Sequence, residues 1–219
     1  MNKNNTLVFV GLAIGFIAST LVKPYPLSWL VKMLPILLLI TVTWQHIKQG
    51  NSHNSAKFFL FGLIFSVCGD FILDYNRDGW FVFGLGSFFI AHLGYLASLK
   101  PFNFQQSSLK KGLILISYGG FGAVMFMLLV DGLGELFIPV FAYMLVLLLM
   151  ALATVFSSKS NLWLIAGGIS FVISDSLIGF DKFNSEIYQS QLWVMATYYF
   201  AQFALVKGYL LSSSNAPQE

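Results

Sequence analysis

Eight stretches of mostly apolar residues follow one another along the chain, at about 6–22, 28–47, 56–73, 80–99, 111–130, 135–156, 162–180 and 190–211. Each has the length a helix needs to cross a bilayer's hydrocarbon core. Hydrocarbon offers no partner to a backbone N–H or C=O, so segments of this length must satisfy their own hydrogen bonds as helices. The connectors are short and hold the breakers, as in Lys23-Pro24-Tyr25-Pro26, Lys48-Gln49-Gly50-Asn51, Asp74-Tyr75-Asn76-Arg77-Asp78-Gly79 and Lys100-Pro101. The expected fold is all-α: a polytopic integral membrane protein of about eight transmembrane helices. It forms a single transmembrane domain over 1–219 with a short flexible tail at 212–219.

Composition excludes the alternatives. Charged residues make up 10% of the chain and mean hydropathy is +0.76, whereas soluble domains carry about 25% charged residues. So few charges do not coat a globular surface, and lipid must. The net charge of +3 is dispersed, so no basic patch points to nucleic acid. Cys68 is the single cysteine; it forms no internal disulfide and reads as a small packing residue. Lys3 followed by an apolar run mimics a signal peptide, but the run is long and ends in Lys23-Pro24, so it is expected to be retained as the first span.

The basic residues set the expected orientation. With the N-terminus inside, Lys3, Lys48, Lys57, Lys100, Lys110, Lys111, Lys159 and Lys207 fall inside, against Lys23, Lys32, Arg77 and Lys182 outside. Lysine and arginine excess marks the cytoplasmic side, so both termini are expected there. Asp74, Asp78, Asp131, Glu135, Asp181 and Glu186 all fall in the opposite loops, and Glu219 alone among the acids of the loops and tail falls inside.

Asp70 and Asp175 lie within the apolar segments, near the ends of the third and seventh spans, and each has a glycine eight residues earlier, Gly62 and Gly167. Each adjoins a small residue, Gly69 or Ser174. Four spans separate them, so both approach the same membrane face. This pattern suggests two parallel four-helix halves, 1–108 and 109–211, related about an axis along the membrane normal.

A carboxylate at bilayer depth costs about 2.5–3.5 kcal/mol on insertion scales, and intramembrane ionisable groups are as a rule functional. Polar neighbours on other spans support a site. Ser66 and Asp70 share a helix face with Gly62, and small residues there admit a second helix closely. Phe88, His92 and Tyr95 form one stripe of the fourth span; Tyr198, Tyr199 and Gln202 form a polar–aromatic group in the eighth. Lys32 and Pro35 lie in the second span, Pro139 and Tyr143 in the sixth, and Ser174 beside Asp175. Convergence of such groups on one cavity is the usual form of a site, although each taken singly is also an ordinary packing residue. No P-loop, G-x-S-x-G or H-E-x-x-H is present, and His46, His53 and His92 are too scattered for a metal site. No metal or cofactor is expected. A carboxylate pair remains, able to divide acid and base roles or to relay protons in transport.

Several segments resemble the YhhN family. Ser66 to Leu73 is similar to its S-x-x-G-D-x-x-L, Gly84 to Tyr95 to its G-x-x-x-F-x-x-x-H-x-x-Y, and Pro139 to Tyr143 to its P-x-x-x-Y. Gly167 to Leu177 is similar to its G-x-x-x-F-x-x-S-D-x-x-L, and Tyr198 to Gln202 to its Y-Y-x-x-Q. Met33 stands where the family's Lys-Pro pair has proline. The resemblance implies a lysoplasmalogenase-type hydrolase, as in the mammalian transmembrane lysoplasmalogenases. Its substrate would be a 1-alkenyl lysophospholipid in the bilayer, cleaved at the vinyl ether to a fatty aldehyde and glycerophosphocholine or glycerophosphoethanolamine. The likeness also implies a bacterial inner-membrane protein with Asp70 and Asp175 as its catalytic pair. Lys32, Ser66, His92, Tyr95, Tyr143, Ser174, Tyr198, Tyr199 and Gln202 would support them or bind substrate, with Lys32 pairing the lipid phosphate. A proton-coupled transporter or lipid carrier using the same aspartates is the rival reading, and a non-catalytic scaffold a second.

Overall fold

A computed structural model describes residues 1–49, 54–76 and 79–214. Gly50, Asn51, His53, Arg77, Asp78 and Glu219, which enter the sequence argument, lie outside those residues. Among the described residues there are eight α-helices: α1 Lys3–Ser19, α2 Ser28–Lys48, α3 Asn54–Tyr75, α4 Phe81–Ser98, α5 Ser108–Leu133, α6 Phe137–Phe156, α7 Leu162–Phe183 and α8 Ser190–Ser214. Most run a few residues beyond the apolar stretches, because their polar ends remain hydrogen-bonded as helix. In particular, α8 continues through 212–214, which sequence assigned to the tail. Asp175 consequently sits eight residues from the end of α7, about two turns inside rather than one.

Local chemistry sets several boundaries. The side chains of Asn2, Ser107 and Asn161 accept backbone N–H bonds at the starts of α1, α5 and α7, satisfying donors that a first turn leaves open. Pro24 and Pro26 stop α1 from running into α2. The turn between α5 and α6 is only Gly134–Leu136, and it needs Gly134 at φ +49°, a conformation that a Cβ disfavours. This break is invisible to hydropathy. Among the described residues six helical stretches are long and apolar enough to cross a membrane, one of them the continuous run Ser108–Phe156 that holds both α5 and α6. α8 falls outside that set because Tyr198, Tyr199, Gln202 and Lys207 dilute its apolar content.

Consecutive helices alternate in direction. Lys23 and Ser28 both bond Asp74 at one end of the bundle. At the other end Asn161 bonds Gly208 C=O at 2.9 Å and Tyr209 bonds Ser55 at 2.9 Å. The first end carries the acidic connectors and the second most of the lysines.

The tightest seams are α3–α4 and α7–α8. A Cβ on Gly94 would stand 3.0 Å from Gly62 N and Phe58 O. On Gly62 it would stand 2.9 Å from Ala91 O and 2.6 Å from the Tyr95 ring; on Gly167, 3.1 Å from Ala201 O and 2.9 Å from Leu205. The register shift carrying Gly62 to Gly167 also carries Asp70 to Asp175, and the shift carrying Ala91 to Ala201 carries Tyr95 to Leu205. In addition α4 packs on α6 as α8 packs on α2.

Polarity is inverted relative to a water-soluble bundle. Lys32, Ser66, Asp70, His92 and Gln202 are buried, while Leu109, Ile116, Met127, Ile138 and Phe83 are exposed. An apolar exterior of this extent is stable only against lipid, and the chain is an integral membrane protein. Cys68, expected to pack inside, is exposed on α3, because the inward face of that helix is taken by Gly62, Ser66, Gly69 and Asp70.

Candidate active site

The polar interior divides into two clusters, one around each aspartate. At Asp70, Lys32 of α2 brings its ammonium 3.3 Å from Oδ1, and Tyr198 of α8 donates to Oδ2 at 2.7 Å. Asp70 is 1% exposed and Lys32 7%. Such a pair resists separation, since a lone ion left in low dielectric is strongly disfavoured. Behind it runs a directional chain. Tyr198 OH accepts from Gln202 Nε2 at 3.2 Å, and Gln202 Oε1 accepts from Tyr95 OH at 2.8 Å. Ser66 Oγ lies 3.1 Å from Tyr95 OH and 3.0 Å from Gly62 C=O. From Tyr95 through Gln202 to Tyr198 each donor points toward the carboxylate, and such chains strengthen cooperatively. Gly69 makes room for this arrangement, since a Cβ there would fall 2.6 Å from the Phe88 ring.

At Asp175, Tyr143 of α6 donates to Oδ2, and His92 Nε2 of α4 lies 3.5 Å from the same oxygen and 3.1 Å from Tyr143 OH. His92 is fully buried, and among the described residues its Nδ1 has no hydrogen-bond partner. A proton on Nδ1 would be stranded, so the ring is set to carry it on Nε2, facing Asp175. The ring packs edge-on against Phe171, centroids 4.6 Å apart. Phe171 in turn packs against Tyr198 at 5.6 Å, so an aromatic layer stands between the two clusters.

Two of the sequence candidates serve elsewhere. Ser174 donates to Val194 C=O at 3.1 Å and joins α7 to α8. Tyr199 donates to Lys32 C=O at 2.7 Å and holds the backbone of α2 rather than a carboxylate. The remaining candidates, Lys32, Ser66, Asp70, His92, Tyr95, Tyr143, Asp175, Tyr198 and Gln202, belong to the clusters.

A cavity of about 720 Å³ opens among α4, α5, α6 and α7. Its walls are apolar, including Leu85, Phe88, Phe121, Met125, Leu129 and Val140, and its polar lining is Asp175, Tyr143 and Ser176. A smaller cavity of about 360 Å³ is lined by Lys32, Gln191, Val194 and Met195. Leu73 and Ile178 border both cavities. Each stands three residues beyond an aspartate, about one turn closer to the acidic end. Asp70 itself lines neither cavity. Sequence reasoning quoted Leu73 only as the end of a motif and did not assign it, Ile178, Gln191 or the α5 wall to a site. Apolar residues in an apolar span carry no signal, and Gln191 looks like any polar residue at a helix start.

An apolar pocket with one carboxylate, backed by a phenol and an imidazole, suits proton transfer to a hydrophobic ligand in the absence of bulk water. The YhhN family's sequence profile matches residues 27–209. The human protein named lysoplasmalogenase TMEM86A is 28% identical over 187 residues, 82% of this chain and 77% of that protein. The human protein named lysoplasmalogenase TMEM86B is 30% identical over 189 residues, 85% of this chain and 78% of that protein. A Mycobacterium tuberculosis protein named lysoplasmalogenase is 30% identical over 126 residues, 55% of this chain and 48% of that protein. No solved structure matches.

Proposed function

We propose that this chain, which belongs to the YhhN family, hydrolyses the vinyl ether bond of 1-alkenyl lysophospholipids. The products are a fatty aldehyde and glycerophosphocholine or glycerophosphoethanolamine. The observation that carries the reading is Asp175, a carboxylate lining a mostly apolar cavity among the helices, in a chain whose relatives bear the name lysoplasmalogenase.

The reaction needs an acid, a base for water and negative charge near a cation. Both contacts to Asp175 fall on Oδ2, so Oδ1 is the oxygen left to meet substrate. Protonated Asp175 gives its proton to the alkenyl carbon remote from the ether oxygen. The C=C bond becomes C–H, and the carbon bonded to oxygen becomes an oxocarbenium ion beside the new carboxylate. Water adds to that carbon as Asp175 takes one of its protons. The hemiacetal then collapses: its hydroxyl proton leaves, the C–O bond to glycerol breaks, and the glycerol oxygen gains a proton. The cycle consumes one water and returns Asp175 to its starting state. Tyr143 and His92 orient the carboxyl group. Asp70, ion-paired with Lys32 and bonded by Tyr198, acts as a positioning group from behind the aromatic layer.

The two four-helix halves, 1–108 and 109–211, supply one aspartate each. Each aspartate takes a polar contact from the other half: Tyr198 reaches Asp70 and His92 reaches Asp175. Both termini are cytoplasmic in a bacterial inner membrane, a reading supported by the lysine-rich connectors at their end of the bundle.

The test is aldehyde release from a 1-alkenyl lysophosphatidylethanolamine by the purified chain in proteoliposomes. Release in wild type and its loss in Asp175→Asn is the expected result. Gradient-driven lipid or proton flux without aldehyde would replace the enzyme by a transporter.

A further inference from the structure

Among the described residues, the internal correspondence of the two halves breaks at α5, which packs on α7 whereas its counterpart α1 packs on α8 and not on α3. On one side of the bundle, α1 packs against α8 through Phe9 and Phe203, centroids 5.3 Å apart, and Phe16 and Tyr199, 6.0 Å apart. The equivalent pair on the other side is α5 and α4. Among the described residues these two helices have no close backbone approach, and Leu85 of α4 packs on the cluster of Leu129 and Leu133 with Val140; the larger cavity lies between them. Its wall there is Leu85, Phe121 and Met125, residues that meet lipid chains without cost. Phe121 is 40% exposed, so the cavity wall continues into the outer apolar surface.

The smaller cavity has the opposite chemistry. Lys32 has three N–H donors. Two are directed at Asp70, toward Oδ1 at 3.3 Å and toward its carbonyl oxygen at 3.5 Å. Both contacts are long, and the third donor remains for a ligand in the cavity that Lys32 lines with Gln191. Ammonium and carboxamide together suit the oxygens of a phosphodiester. Leu73 and Ile178 line both cavities. Leu73 rests on a helix face cleared by Gly84, where a Cβ would collide with its Cδ2.

We propose that the two cavities are compartments of one site for a phosphate-bearing single-chain amphiphile. Its head lies against Lys32 and Gln191, its chain fills the α4–α7 cavity, and it enters from the bilayer through the α4–α5 seam. Leu73 and Ile178 form the partition that the ligand's glycerol end crosses, beside Asp175. This binding mode rests on the reading of the chain as a lysolipid hydrolase.

The test is binding, independent of turnover. Full-length protein in nanodiscs is titrated with a saturated 1-alkyl lysophosphatidylcholine, which lacks the vinyl group and is not hydrolysed. The same titration is made with 1-alkylglycerol, which has the chain and no phosphate, and with glycerophosphocholine, which has the head and no chain. Wild type should prefer the lysophospholipid to the alkylglycerol by about tenfold, the scale of one charge-assisted hydrogen bond. Gln191→Leu should erase much of that preference. The double variant Lys32→Met/Asp70→Asn, which removes the cation without stranding the acid, should erase the rest. Met125→Trp, which fills the chain compartment, should weaken both chain-bearing ligands alike, and glycerophosphocholine should compete poorly. Equal losses for both chain-bearing ligands in Gln191→Leu, or unchanged binding in Met125→Trp, overturns the proposal. So does glycerophosphocholine competing as well as the lysolipid. If the binding pattern holds and no vinyl ether is cleaved, the hydrolase reading fails while the site stands.

Discussion

Lys32 of α2 and Asp70 of α3 face each other at 3.3 Å in an interior that exposes 7% of one and 1% of the other. Neither charge is stable there alone. The pair joins two helices at the level where Tyr198 and Tyr199 of α8 also attach, through Asp70 Oδ2 and Lys32 C=O. Three helices therefore meet at one polar node, whose contribution to stability thermal unfolding reads without turnover.

Lys32→Met alone leaves Asp70 buried without its cation and should destabilise the fold by about 3–5 kcal/mol. Lys32→Met/Asp70→Asn should recover most of that loss. Thermal unfolding of the detergent-solubilised variants reads both. Destabilisation of the double variant equal to the sum of the singles would show that the two side chains do not interact.

Asp175→Asn keeps the shape of the side chain and an acceptor for Tyr143, so the variant should fold with wild-type thermal stability. Aldehyde release should fall by at least about 10²-fold, the contribution of a positioned general acid. A variant that folds and still turns over at the wild-type rate is incompatible with the proposed mechanism.

Tyr143→Phe removes the hydroxyl that bonds Asp175 and leaves the ring's packing in place. The expected change is in kcat rather than KM, by about tenfold, the scale of one charge-assisted hydrogen bond. Steady-state kinetics with a 1-alkenyl lysolipid separates the two, and a pure KM effect would make Tyr143 a binding group.

The α3–α4 seam depends on small residues. Gly94→Ala puts a methyl 3.0 Å from Gly62 N and Phe58 O, backbone atoms that cannot rotate away, and should cost about 1–3 kcal/mol. Gly119→Ala and Gly86→Ala meet nothing within 4 Å and should be neutral or slightly stabilising, since alanine is the better helix former. Thermal unfolding of the three variants side by side is the check.

The apolar runs and their breakers determined by themselves that the chain is a helical membrane protein, because hydrocarbon admits no other backbone solution for segments of this length. The cost of a buried charge made Asp70 and Asp175 conspicuous, and helical spacing put Ser66 beside Asp70 and His92 beside Tyr95. Spacing along one helix says nothing of which helix it faces. Tertiary packing alone decided that Lys32 belongs to Asp70 while Tyr143 and His92 belong to Asp175, that Ser174 and Tyr199 brace backbones, and that Asp175 meets the large cavity while Asp70 is sealed. It also decided that the α1–α8 seam closes while its counterpart stays open. These features arise where side chains from different spans compete for the same volume, and no pattern within a single apolar span records the outcome.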